Sequence, residues 1–185
     1  MEWVLLGLVI LLLLWLVVLY NRLVSLRQAV SQAWADIEVQ LKQRHDLIPN
    51  LVETVKGYAA HESGTLEAVI AARNGAVRAQ GPEQAGAAEG VLGAALGRLF
   101  ALAEAYPDLK ANTNFLSLQA ELSAVEGTLA AARRFFNSSV AEYNAAIQSI
   151  PAVFFAGAAG FGPRGFFELD EGERAATRNA PQVKF

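Results

Sequence analysis

The stretch WVLLGLVILLLLWLVVLY, residues 3–20, contains no charge and no proline. At 1.5 Å per residue it makes a helix of about 27 Å, just enough to cross a hydrocarbon core of ~30 Å. Trp3 stands at one end and Trp15 and Tyr20 towards the other, where amphipathic rings favour the headgroup level. A cleaved secretory signal would open on basic residues, hold a shorter apolar core and end at a small-x-small site. Here Met1-Glu2 precedes the run and Tyr20-Asn21-Arg22 follows it. A helix in a globular core is usually apolar along one stripe rather than all round. Residues 1–20 therefore read as a retained membrane anchor, with the lipid bilayer as its partner.

The flanks orient that anchor. No Lys or Arg precedes it, and Arg22 and Arg27 follow, so the positive-inside rule puts the N-terminus outside and the rest in the cytoplasm. After the anchor about 165 residues remain, which suits one domain. The net charge of −3, from 15 Lys+Arg and 18 Asp+Glu, supplies no basic field for nucleic acid. There are no cysteines, which excludes disulfides and thiol chemistry. One methionine and two histidines leave little for metal or redox work.

Beyond the anchor, residues 21–151 read as a helical bundle, giving an all-α fold of three to four long up-and-down helices. Leu23, Leu26, Val30, Trp34, Ile37 and Leu41 recur at three- and four-residue steps, one apolar helical stripe. No glycine or proline separates it from Tyr20, so anchor and first bundle helix should be continuous. Pro49 removes a helical hydrogen bond, yet the apolar phase persists through Ile48, Leu51, Val55 and Tyr58. A kinked continuous helix is expected there rather than a hairpin, carried past the soft spot Ser63-Gly64 to about Arg73. Residues 74–82 read as the first clear loop.

Gly81-Pro82 suits a helix start, and this helix should run to about Ala105 with Leu92, Leu96, Leu99, Ala103 and Tyr106 on one face. Its first half carries Gly86, Gly90, Gly93 and Gly97, each costing a helix roughly 1 kcal/mol against alanine. Two readings stay open: a poorly ordered helix start, or a small-residue face against a neighbouring chain. After a turn at residues 106–112, Phe115, Leu118, Leu122, Val125, Leu129, Ala132, Phe136, Val140, Tyr143, Ile147 and Ile150 follow at the mean spacing of a coiled coil. Pro151 ends that helix. Residues 152–167, AVFFAGAAGFGPRGFF, hold too many aromatics for an idle linker: Phe154, Phe155, Phe161, Phe166 and Phe167. They must pack on the bundle, on another subunit or into the membrane surface. Residues 168–185 form a polar tail.

No motif brings chemistry with it. Residues 160–165 match G-x-G-x-x-G, but a dinucleotide site needs that turn between a strand and a helix, and Pro163 removes an amide. His45 and His61 have no further ligand at helical spacing. Thr128, Ser138 and Ser139 have no histidine placed to activate them, and no pair of acids suggests hydrolysis. The sequence gives no reason to expect catalysis, a cofactor or a metal.

The residues do carry a likeness. YNRLVSLRQAVSQAWADIEVQLKQRHDLIPNLVETVKGYAAHE (20–62), YPDLKANTNFLSLQAELSAVEG (106–127), AARRFFNSSVAEYNAAIQSIP (131–151) and FFAGAAGFGPRGFFE (154–168) together resemble the LemA family over nearly the whole chain. Val125 stands where that family usually has threonine and Phe136 where it usually has tyrosine, so any role of those hydroxyls is absent or moved here. The resemblance implies a bacterial single-pass inner-membrane protein with a helical bundle and an exposed N-terminus. It implies no enzymatic activity.

These readings lead to a membrane-anchored scaffold that self-assembles or organises partners, with an adaptor for an unidentified protein partner as the alternative. A first helix of roughly 75 Å beside helices of about 35 and 55 Å would leave apolar stripe uncovered, the usual mark of an interface. The expected homo-oligomer contacts are Gly86, Gly90, Gly93, Gly97, Phe154, Phe155 and Phe161.

Overall fold

The computed structural model describes residues 1–168; the polar tail beyond lies outside them. Among the described residues there are five α-helices and no strand. Helix α1, Glu2–Lys56, carries anchor and first bundle stripe in one unbroken element. It is followed by α2, Ser63–Arg78, then α3, Gly81–Ala103, the single turn α4, Pro107–Lys110, and α5, Thr113–Gln148. A 3-10 turn at Ala152–Phe154 opens the tail.

Pro49 lies inside α1, which continues past it for two turns. The helical ladder would have bonded the residue-49 amide to the His45 carbonyl, and proline has no such amide. That carbonyl instead accepts a hydrogen bond from Arg73 Nε of α2 (3.2 Å). The expectation of one helix to Arg73 is corrected. The chain reverses at residues 57–62, and α2 runs back antiparallel to α1, with Arg73 beside His45. Residues 74–78 are also helical rather than loop, held by buried Ala76, and only Ala79 and Gln80 separate α2 from α3. Gly81 opens α3 with φ of 76°, a left-handed conformation that favours glycine. Asn112 caps α5 through a bond from the Phe115 amide and donates to the Tyr58 hydroxyl (2.9 Å), tying the α4–α5 corner to the α1–α2 turn.

Helices α1 and α5 form an antiparallel pair. Trp34 meets Phe136 with ring centroids 5.5 Å apart, and ten residues further along α1, Arg44 meets Glu126, ten residues earlier on α5. The pair is covered in two parts. One core joins Ile48, Leu51 and Val55 to Leu66, Val69, Leu92, Leu96, Leu99, Leu109, Phe115 and Leu122. This is the half far from the anchor, and α2, α3 and α4 cover it. The other core joins Leu23, Val30, Ile37 and Leu41 to Leu129, Phe136, Val140, Tyr143 and Ile147. It lies next to the anchor, and its cover is Ala152, Ala156, Phe161 and Phe167 of the tail, with Ala85 from the start of α3. The α5 stripe is thus buried nearly throughout, with Leu118 and Ala132 half-buried and Ile150 exposed.

The reversal at residues 57–62 removes the length mismatch. The part of α1 beyond the anchor and the whole of α5 are each about 54 Å long by the helical rise, so they cover each other from end to end.

Candidate functional site

Two arrangements stand out: the tail that closes the half next to the apolar N-terminal run, and a buried charge cluster where the two cores meet. The tail is pinned to α5 by two asparagines seven residues apart. Asn144 Nδ2 donates to the Arg164 carbonyl and its Oδ1 accepts from the Arg164 amide, both at 2.9 Å. Asn137 does the same for Phe167, at 3.0 and 2.9 Å. Between them the Tyr143 hydroxyl donates to the Gly162 carbonyl (2.9 Å). An asparagine amide presents a donor and an acceptor side by side, so each satisfies one tail residue's backbone as a strand would. The tail thereby climbs α5 away from the anchor. Its rings fill the gap beside α1: Phe161 meets Tyr20 at 5.4 Å and lies under Arg27 at 5.0 Å, while Phe167 meets Trp34 at 6.2 Å and Arg133 at 4.6 Å.

At the junction of the cores, Arg44 and His45 of α1 converge on Glu89 of α3. Arg44 Nη1 donates to Glu89 Oε2 (2.6 Å) and Nη2 to Glu126 Oε1 (2.9 Å). His45 Nε2 lies 2.5 Å from Glu89 Oε1. All but Glu126 are buried. Burial pushes the Glu89 carboxyl up, but the His45 hydrogen bond and the Arg44 charge outweigh it, leaving the carboxyl below its ordinary range. An ionised carboxylate whose oxygens are both taken is a structural tie that sets the register of α1, α3 and α5. Among the described residues no three His, Asp or Glu side chains are placed to share a metal ion. Gly160-Phe161-Gly162 lies in a turn and irregular chain, with neither strand before it nor helix after it, so it is no dinucleotide loop.

Several expected contact residues are occupied within the chain. Phe161 is 2% exposed, in the core beside the anchor, so its expected place at a subunit contact is corrected: Tyr20 and Arg27 of the same molecule take it. Gly86 is buried, and a Cβ there would meet the Glu168 carbonyl at 2.6 Å. It admits the chain's own tail rather than a neighbour. A Cβ at Gly93 would lie 3.9 Å from Arg44 Nη2, and Phe155 is half-buried against the same core as Phe161. Phe154 and Gly97 are exposed, and Gly90 lines a shallow groove between α2 and α3 with Ala68, Ala72, Val91 and Arg98. His61 is exposed and His45 buried. Sequence reasoning passed over Asn137, Asn144, Arg44 and Glu89. The asparagines left one signal, two poor helix formers seven residues apart beside a buried stripe.

Among the described residues two helices are long and apolar enough to cross a membrane, α1 and α3. None of the apolar window of α1 is buried in the protein, whereas 39% of that of α3 is, with Leu92, Leu96 and Leu99 in the core. Trp3, Trp15 and Tyr20 are all exposed on α1. The sequence matches the LemA family over residues 33–185. The chain belongs to the LemA family. Among its relatives, magnetosome protein MamQ of Magnetospirillum gryphiswaldense is 29% identical over 168 residues, covering 77% of this chain and 62% of the relative. Magnetosome proteins MamQ 1 and MamQ 2 of Paramagnetospirillum magneticum are each 26% identical over 175 residues, 80% of this chain and 64% of the relative. This LemA-family chain therefore spans somewhat less than two thirds of the length of these relatives.

Proposed function

We propose that this chain is a single-pass scaffold of the bacterial inner membrane that self-associates and organises other proteins there, without catalysis. The observation that supports this reading most is α1 itself. None of the eighteen residues of its apolar stretch is buried in the protein, and the same helix continues as a core element of the bundle. The magnetosome names of the relatives support a role in membrane organisation. The two arginines after the anchor support an orientation with the bundle in the cytoplasm. Self-association rests on the groove between α2 and α3, whose lining includes the exposed Val91. A groove open in this way also favours the adaptor reading, in which a different protein occupies it.

Two measurements test the proposal. Mass determination of the full-length protein in lipid nanodiscs and mild detergent should give homo-oligomers, and a monomer at every concentration would leave the adaptor. Because the chain has no cysteine, Leu116→Cys at the exposed far end gives a single reporter. An impermeant thiol reagent should reach it only after cells are lysed; labelling of intact cells would invert the orientation.

A further inference from the structure

The α1–α5 register fixes the height of the loop after α5. Trp34 stands opposite Phe136 and Arg44 opposite Glu126. Carried fourteen residues towards the anchor, the same register sets Ile150 level with Tyr20, the last residue of the apolar run. A direct contact agrees, since the Phe161 ring lies against Tyr20. Leu16 and Leu19 are the only residues before Asn21 that are partly covered, so the chain at the foot of the bundle reaches down to the last apolar turns of the anchor.

At that height the loop turns apolar side chains outward. Ile150 is 81% and Phe154 78% exposed, and Val153 is exposed between them. Chain packing leaves these three uncovered while burying their neighbours Ala152 and Ala156. In water such a cluster costs free energy on the order of 25 cal/mol per Å2. Beside a transmembrane helix at the headgroup level it faces the headgroup–acyl boundary instead, where aromatic and aliphatic residues are favoured. Arg22, exposed two residues past Tyr20, stands where lipid phosphates would lie.

We infer that Ile150, Val153 and Phe154 form a second membrane contact, a wedge seated in the bilayer interface beside the anchor, with lipid as its occupant. The inference rests on residues 1–20 spanning the bilayer. It adds that the bundle sits directly on the membrane and meets it at two points.

The test uses full-length protein in nanodiscs with single cysteines carrying an environment-sensitive fluorophore. Phe154→Cys and Val153→Cys report on the wedge, Leu8→Cys on the anchor and Leu116→Cys on the far end, all at exposed positions. Lipid-borne nitroxides should quench the labels at 153 and 154 several-fold more than aqueous iodide does, most strongly for a nitroxide about 5–10 Å below the surface. The label at 8 should be quenched by lipid and the label at 116 by iodide. If 8 is quenched by lipid and 153 and 154 by iodide, the wedge is wrong and the anchor stands. Shielding of 153 and 154 from both quenchers would mean that a protein surface covers them, which also overturns it. Lipid quenching at 116 equal to that at 154 would mean a bundle lying flat and would end the register argument. No lipid quenching at 8 would remove the anchor and the wedge together.

Discussion

Beyond Arg44 the α1–α5 pair is covered by two long helices; between Arg44 and the apolar N-terminal run it is covered by a tail of short turns and irregular chain. Both covers bury the same kind of stripe. The far half does so with leucines, valines and alanines on α2 and α3, whose backbones are satisfied internally. The near half uses fewer residues and larger rings, and beyond Phe161 its backbone is satisfied from outside, through Asn137, Tyr143 and Asn144. A helical cover is held by its own hydrogen bonds as well as by packing. The tail has packing, a few side-chain bonds and the short turn bonds of residues 149–161 but no continuous helical ladder, so the near half should be the more easily opened.

The largest expected effect bears on that difference. Phe136→Ala empties a site 2% exposed beside Trp34 and should cost about 3–5 kcal/mol. Chemical unfolding of the full-length protein in micelles measures it, and a loss below about 1 kcal/mol would mean that the core beside the membrane is not a tight core. Next comes the tail alone. Asn144→Ala removes two hydrogen bonds and should cost about 2 kcal/mol, read by hydrogen exchange as lost protection in residues 161–167 and the second half of α5. Equal loss in α2 and α3 would show that the halves open as one unit. The smallest effect tests the far half. Arg73→Ala should cost about 1 kcal/mol in the native chain and less after Pro49→Ala, because alanine restores the amide that bonds His45. A double-mutant cycle with no coupling would break the link between the proline and α2.

Much of this was legible beforehand. The apolar N-terminal helix running unbroken into the first bundle stripe, the buried stripe of α5 and the stop at Pro151 all express local rules of periodicity and helix breaking. The reversal at residues 57–62 was not, because Val55, Tyr58 and Leu66 keep helical phase across it and no proline or loop composition marks it. Pro49 marks a place where a break is expected, yet α1 continues because a residue far along the chain, Arg73, takes the orphaned carbonyl. The Asn-Gly pair at residues 74–75 suggested a loop, but burial of Ala76 one residue later holds the helix. Phe161 failed for the same kind of reason. Its aromatic character indicated a contact, and only the tertiary register shows that the contact is with Tyr20 of its own chain. Glu89 could not be read as a partner of Arg44 and His45 without the hairpin that brings α3 beside α1.

Because α1 carries the apolar run and the first bundle stripe without a joint, the angle at which the proposed anchor crosses a bilayer would be the angle of the whole protein. Transmembrane helices lean by about 20° on average, by an amount that depends on the thickness of the bilayer. Along the roughly 54 Å of α1 beyond the anchor, such a lean displaces the far tip sideways by roughly 18 Å. On the proposed anchoring, the helix would act as a lever with its short arm in lipid, and a change in membrane thickness would become a lateral movement of the α2–α3 groove.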